Sequence, residues 1–233
     1  MKVALMLSGL TRSASLCFNS IDRYILSKYD VDVYIHTWDV SNVSLDEKTS
    51  DIELNMDKLE SLFKPKKMVV ENYFDNRDKL VEKYSRYPRI EGTPERSMSM
   101  FYKLEQCFNL IDDKYDFIIR SRMDLMMCGE IEDKEIDFSS INIPDNQSRQ
   151  TQIIDGYAYS IPHDSHGIID CFSIGKYEQM KKYCNVYSNL DTMCIGMGLL
   201  YHPEFILKKN LEIQSVNINR FNLDFSLVRK PNR

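Results

Sequence analysis

The chain opens on an unbroken apolar run, Val3-Ala4-Leu5-Met6-Leu7, the pattern of a strand buried on both faces of a parallel sheet. Between 13 and 28 the period changes. Leu16, Ile21, Ile25 and Leu26 recur near helical spacing, and Ser13 or Ser15 is placed to cap the helix. "VDVYIHTWD" (31–39) reads as a second strand, 39–53 as a polar loop, 57–63 as a short helix and 68–71 as a third strand. The region 72–94 is rich in tyrosine and charge, with a helical piece at 76–84. A long helix is expected over 95–113, where Met98, Phe101, Leu104 and Phe108 form an apolar stripe, and a strand over 115–121. Beyond 128 the periodicity loosens. Strands are expected near 140–143, 156–161, 168–174, 213–218 and 224–228, and helices at 176–187 and 203–210. The alternation of strand and helix predicts an α/β fold, a Rossmann-like, mostly parallel central sheet flanked by helices. The 233 residues suit one large domain or a compact two-lobed one.

In such sheets ligands bind beyond the carboxyl ends of the strands. Three segments turn polar there: "SGLTR", "HTWD" and "RSRMD". In the third, Arg120, Arg122 and Asp124 alternate and so share one face of an extended chain. A carboxylate beside guanidiniums suits a magnesium or manganese ion with a diphosphate. An ion pair sealing a strand end accounts for the same residues; at the surface its loss would cost about 0–1 kcal/mol. In "SGLTR", Ser8, Gly9 and Arg12 are the candidates. Gly9 allows close backbone approach and positive φ, and Arg12 near a helix start opposes the macrodipole and invites an anion; a plain strand-to-helix turn is the alternative. No dinucleotide fingerprint or phosphate loop is present.

"HTWD" supplies His36, Thr37, Trp38 and Asp39. Trp38 is the only tryptophan; its ring suits stacking on a nucleobase or burial in the core. Asp39 is placed to accept from ribose or base. His36 by itself reads equally as a structural histidine. Lys103 falls off the apolar stripe of its helix and faces either an anionic ligand or solvent. Later in the chain, Asp155, His163, Asp164, His166 and Asp170 cluster in sequence, but no third nitrogen or sulfur ligand stands in register for zinc. Asp170 leads a new strand and is the first candidate for a general base, with Asp155 the second.

Composition narrows the classes. Hydrophobic residues make up 43% and charged ones 28%, ordinary for a globular protein. The net charge of -5 without a basic block argues against a nucleic-acid partner. Six cysteines without CxxC spacing read as buried reduced thiols. No apolar run reaches the roughly 20 residues of a transmembrane helix, and the N-terminus reads as a core strand instead of a signal peptide. A cytoplasmic location, in a microbe or an infected host cell, is therefore expected.

The order of "SGLTR", "DVYIHTWD", "SMFYKLEQCFNLI", "YDFIIRSRMDL", "IIDCFSIGKYEQMKKY", "HPEFILKKNL" and "SLVR" resembles a group of small GT-A-type glycosyltransferases from bacterial capsule and O-antigen clusters and large DNA viruses. The resemblance covers residues 2 to about 229. It implies one GT-A-like domain, 1–128 holding a nucleotide sugar and 129–233 an acceptor. It also implies transfer of a sugar from a nucleoside diphosphate donor, with UDP the expected nucleotide, to a glycan or glycoprotein, assisted by Mn2+ or Mg2+. The family's D-x-D motif has "RMD" as its counterpart, with Arg122 in place of the first Asp. That leaves Asp124 as the metal ligand, with Arg120 and Arg122 on phosphate. Ser8, Gly9, Arg12 and the "HTWD" residues would hold the nucleotide, and His202 and Glu204 of "HPE" would lie near the site. Inversion would require a base such as Asp170; retention would not. Two rival classes stand beside this reading: a nucleotide-sugar or carbohydrate-binding protein without turnover, and a nucleotidyltransferase.

Overall fold

The computed structural model describes residues 1–41, 56–88, 94–112, 114–145, 151–155, 157–160 and 167–229. The opening apolar run forms β1 (Lys2–Gly9), followed by α1 (Ala14–Ile21), which runs on into a π-helical turn (Asp22–Leu26), and by β2 (Asp30–Trp38). Next come α2 (Met56–Phe63), β3 (Lys67–Glu71), α3 (Tyr73–Ser85), α4 (Pro94–Phe108) and β4 (Phe117–Ser121). The second half supplies β5 (Leu125–Met127), β6 (Ile141–Pro144), β7 (Thr151–Ile154), β8 (Tyr157–Ser160) and β9 (Phe172–Gly175). It closes with α5 (Tyr177–Cys184), α6 (Pro203–Ile213), β10 (Ile218–Phe221) and β11 (Phe225–Arg229).

Seven strands form one mostly parallel sheet in the order β10-β6-β9-β4-β1-β2-β3, flanked by helices as the α/β pattern predicts. Only β9 runs against its neighbours, antiparallel to both β4 and β6. The chain lays β2 and β3 on one side of β1, then crosses back to set β4 on the other side. That reversal opens a crevice at the carboxyl ends of β1 and β4. A smaller antiparallel sheet, β5-β11-β8-β7, follows directly from β4. Its strands β5 and β7 are too short to show a period in the sequence.

Several boundaries differ from expectation: the strand expected over 168–174 begins only at Phe172 and the helix expected over 176–187 ends at Cys184, and two further differences have local reasons. The helix expected to reach 113 stops at Phe108; continuing would place Asp112 and Asp113 at its negative end. The strand expected at 213–218 begins only at Ile218. There α6 runs to Ile213 and closes through Ser215 at φ 52°, with the Val216 N–H bonded to the Leu211 carbonyl at 3.0 Å, a left-handed helix stop. The loop expected over 39–53 lies outside the described residues from 42 onward, as do His163, Asp164 and His166. Among the described residues, no helix is long and apolar enough to cross a membrane.

Parallel pairing places Ser8 opposite His36 and Met6 opposite Arg120, so Ser8, His36, Trp38 and Arg120 share one face of the sheet. The helix α4 covers the β2 end of that face through polar contacts. Lys103 is fully buried, donates to the Thr37 carbonyl (2.9 Å) and Glu71 (2.7 Å), and sits 3.4 Å from the Trp38 ring centroid. Burial pulls its ammonium down to about 8, although Glu71 opposes the shift. The Trp38 indole N–H donates to Ser99 at 2.6 Å. All six cysteines are free; five are buried and Cys128 is exposed.

His36 is buried beside Tyr102. Desolvation and the neighbouring Lys103 cation push its imidazole down to about 4, below the usual unfolded value of about 6.5. The folded state thus excludes the proton that the unfolded state accepts. Stability from His36 is complete above about pH 6.5 and is lost as pH falls towards 4, on the order of 3 kcal/mol over the interval. Urea midpoints measured from pH 7 to 4 should fall less steeply for His36→Gln than for the parent. Parallel curves would show that His36 does not carry this acid sensitivity.

Candidate functional site

A cavity of about 180 Å3 occupies the crevice at the carboxyl ends of β1 and β4. The turn after β1 forms one wall. Gly9 adopts φ 101° and Arg12 φ 40°. The Gly9 carbonyl accepts from the Thr37 hydroxyl (2.7 Å), and the Arg12 N–H bonds the Ser41 carbonyl (2.9 Å). A left-handed arginine costs roughly 1–2 kcal/mol of backbone energy, and these bonds hold it there. Ser13 does not cap α1; its hydroxyl bonds the Val228 carbonyl on β11.

Asp124 lies behind this wall, its side chain 1% exposed. Arg122 grips it bidentately, Nε to Oδ1 at 2.7 Å and Nη2 to Oδ2 at 2.8 Å. Arg12 Nη1 donates to Oδ2 at 2.7 Å and Arg229 Nε at 3.4 Å. Burial by itself would raise the carboxyl, but the Arg122 and Arg12 guanidiniums hold it far below the usual carboxylate range. Burial likewise opposes the charge on Arg122, and Asp124 overcomes it, lifting Arg122 above the ordinary arginine value. Arg12 is pulled down to about 10 by desolvation and by Arg122, so all three arginines stay charged at neutral pH.

Arg120 and Ser8 behave differently. Arg120 is completely buried and lines the cavity, and among the described residues none of its three guanidinium nitrogens has a hydrogen-bond partner. The Ser8 hydroxyl, on the same face and lining the same cavity, is also buried and has no partner among them.

The far wall comes from the second half of the chain. Because β9 is reversed, its amino end lies beside the carboxyl end of β4, with Ser121 opposite Phe172. Asp170, two residues ahead of β9, is thereby presented to the crevice, and the Arg122 N–H bonds the Cys171 carbonyl at 3.1 Å. Glu204, in the first turn of α6, also lines the cavity and contacts His202 at 3.2 Å. Its backbone is pinned by Ile168, whose N–H bonds the Glu204 carbonyl at 3.1 Å. At Gly167 a Cβ would fall 2.0 Å from that carbonyl, so only glycine permits this approach.

Of the candidates from sequence, the fold brings together Ser8, Gly9, Arg12, Arg120, Arg122, Asp170 and Glu204, with Asp124 directly behind them and His202 in contact with Glu204. The rest lie elsewhere. Trp38 is fully buried and stacks on Tyr102 (5.8 Å, 20°), leaving no ring face for a base. Asp39 accepts from Asn72 (2.7 Å) and the Tyr73 N–H (2.9 Å) at the start of α3. Thr37 braces the Gly9 turn, His36 packs against α4, and Lys103 is spent on Glu71. Asp155 is exposed at the β7–β8 turn, at φ 49°, and does not line the cavity. Among the lining residues to which the sequence assigned no role are Arg229, Ser97 and Ser99; the signal for Arg229 was a cation closing an alternating run, as Arg120 and Arg122 close theirs.

The donor set does not fit a divalent metal held by Asp124. Three guanidiniums make four N–H contacts to the carboxylate, one on Oδ1 and three on Oδ2. A dication there would sit among three cations, against their repulsion. Among the described residues no group of three or more His, Cys, Asp or Glu is placed to hold a metal ion. No protein-family model matches the chain, and neither does any curated protein.

Asp124 is a buried hub, not a surface ion pair, and its removal strands three cations together. Asp124→Ala should therefore lose about 3–5 kcal/mol of stability, the range for breaking a buried pair from one side. Urea unfolding at pH 7 measures it. A loss below about 1 kcal/mol would mean that water already screens the cluster.

Proposed function

We propose that the protein is a GT-A-type glycosyltransferase that moves a sugar from a nucleoside diphosphate donor, with UDP the expected nucleotide, to a glycan acceptor. One observation carries the reading: at the switch-point crevice of an α/β sheet, in a chain of net charge -5, a fully buried guanidinium on Arg120 has no hydrogen-bond partner among the described residues. A buried guanidinium without a partner calls for an anion, and guanidinium groups match phosphate geometry. Arg12, Arg122 and Arg229 surround the same cavity, and a carboxylate, Asp170, lines it from the other half of the chain.

In this reading the acceptor hydroxyl oxygen attacks the anomeric carbon while the bond from that carbon to the diphosphate oxygen breaks. The bonding electrons pass to the diphosphate, where the arginines stabilise charge as it develops. For an inverting transfer, Asp170 takes the acceptor proton. Ser8 and Gly9 let the phosphates approach the end of β1, and the segments supplying Asp170 and Glu204 form the acceptor side.

Incubation with nucleotide sugars and candidate glycans should release a nucleoside diphosphate. Release of pyrophosphate from a nucleoside triphosphate would instead favour a nucleotidyltransferase, and donor binding without turnover a carbohydrate-binding protein. Asp170→Asn keeps the shape and removes the basicity. Turnover should drop about 100-fold or more with donor affinity unchanged; turnover within a few-fold of the parent would remove Asp170 as base.

A further inference from the structure

Divalent ions serve diphosphate chemistry by neutralising phosphate oxygens. This cavity carries its positive charge in another form. Among the described residues, four guanidiniums, Arg12, Arg120, Arg122 and Arg229, stand against the carboxylates of Asp124, Asp170 and Glu204, four charges against three, and Glu204 is turned to His202 at 3.2 Å. Three of the arginines bond Asp124, whereas Arg120 hydrogen-bonds none of these carboxylates. Its guanidinium and the Ser8 hydroxyl are buried, unpartnered and on one sheet face where β1 and β4 meet. Together they offer donors with no acceptor, at the place where the backbone of Gly9 gives way to the crevice. Arg229 adds a donor at the rim: its contact with Asp124 is the longest of the four, and its side chain is 41% exposed.

We propose that Arg120 and Ser8 form the anchor for the donor diphosphate, with Arg229 closing on it from the rim, and that this arginine set replaces a divalent cation, so that diphosphate binding is metal-independent. The inference rests on the donor class proposed above and adds how that donor is held. A dianion placed against Arg120 satisfies the buried guanidinium and leaves the Asp124 hub undisturbed. A dication would add charge to a site already cationic.

Isothermal titration with inorganic pyrophosphate and with UDP, each in EDTA and in Mn2+, tests this on the full chain. Binding is expected in EDTA, with affinity changed less than about threefold by Mn2+, well under the tenfold that 1.4 kcal/mol represents. Arg120→Met should weaken binding about tenfold or more, the scale of a lost charge-assisted hydrogen bond. It should also raise the melting temperature of the free protein, because an uncompensated buried cation is removed; a guanidinium with a merely structural role would lower it. Ser8→Ala, a smaller change, should weaken binding without loss of fold, and it decides the anchor should Arg120→Met fail to fold. Binding that requires Mn2+ would overturn metal independence and leave the glycosyltransferase reading standing. Binding in EDTA that neither substitution weakens would overturn the anchor. Failure of both ligands under both conditions would overturn the anchor and the donor class together.

Discussion

One buried carboxylate organises this molecule. Asp124 collects guanidiniums from the turn after β1, from the end of β4 and from the end of β11. Without it those three segments would repel one another; with it they converge. Backbone contacts repeat the convergence, since the Val228 N–H bonds the Asp124 carbonyl at 2.8 Å and the Ser13 hydroxyl bonds the Val228 carbonyl. The two sheets and the first helix are thus tied at one point, and the cavity is the space in front of that tie. The arrangement is costly to desolvate, which is why so many contacts are spent on a single side chain.

The reversed strand β9 gives the site its second chemistry. A parallel strand beside β4 would present its carboxyl end at the crevice, with the residues ahead of it at the far edge of the sheet. Run the other way, β9 delivers Asp170 to the arginine side. Gly167, pressed against the Glu204 backbone, then seats the start of α6 beside it. The guanidiniums of the cavity therefore come mainly from β1, β4 and the segments that follow them, and its lining carboxylates from the later part of the chain.

Much of this was legible in the residues. The apolar runs marked β1, β2 and β4, and the rule about carboxyl ends of strands led from them to Ser8, Gly9, Arg12, Arg120 and Arg122. The errors share one physical cause. A polar residue near a strand end can face the crevice or the helix that covers the sheet, and local pattern does not distinguish them. "HTWD" faces the cover: Trp38 and Lys103 pack together under α4, and Asp39 turns to α3. Nor does the sequence reveal that Asp124 is ringed by three guanidiniums, because two of its three partners lie 112 and 105 residues away. Arg120 shows the opposite case, a residue whose isolation becomes visible only when its surroundings are known.

Those long separations bear on assembly. The strands β1, β2, β3 and β4 are joined by local crossovers, whereas β9 must enter between β4 and β6, although β6 precedes it in the chain, and β11 must find both β5 and β8. Pairings of such range are slow because chain entropy is lost before they reward it. During synthesis Arg12, Arg122 and Asp124 emerge well ahead of Arg229, so the last guanidinium reaches the carboxylate only when β11 docks. The cluster around Asp124 is then complete only once β11 is in place, and until that docking a nascent chain carries the crevice without its full set of guanidiniums.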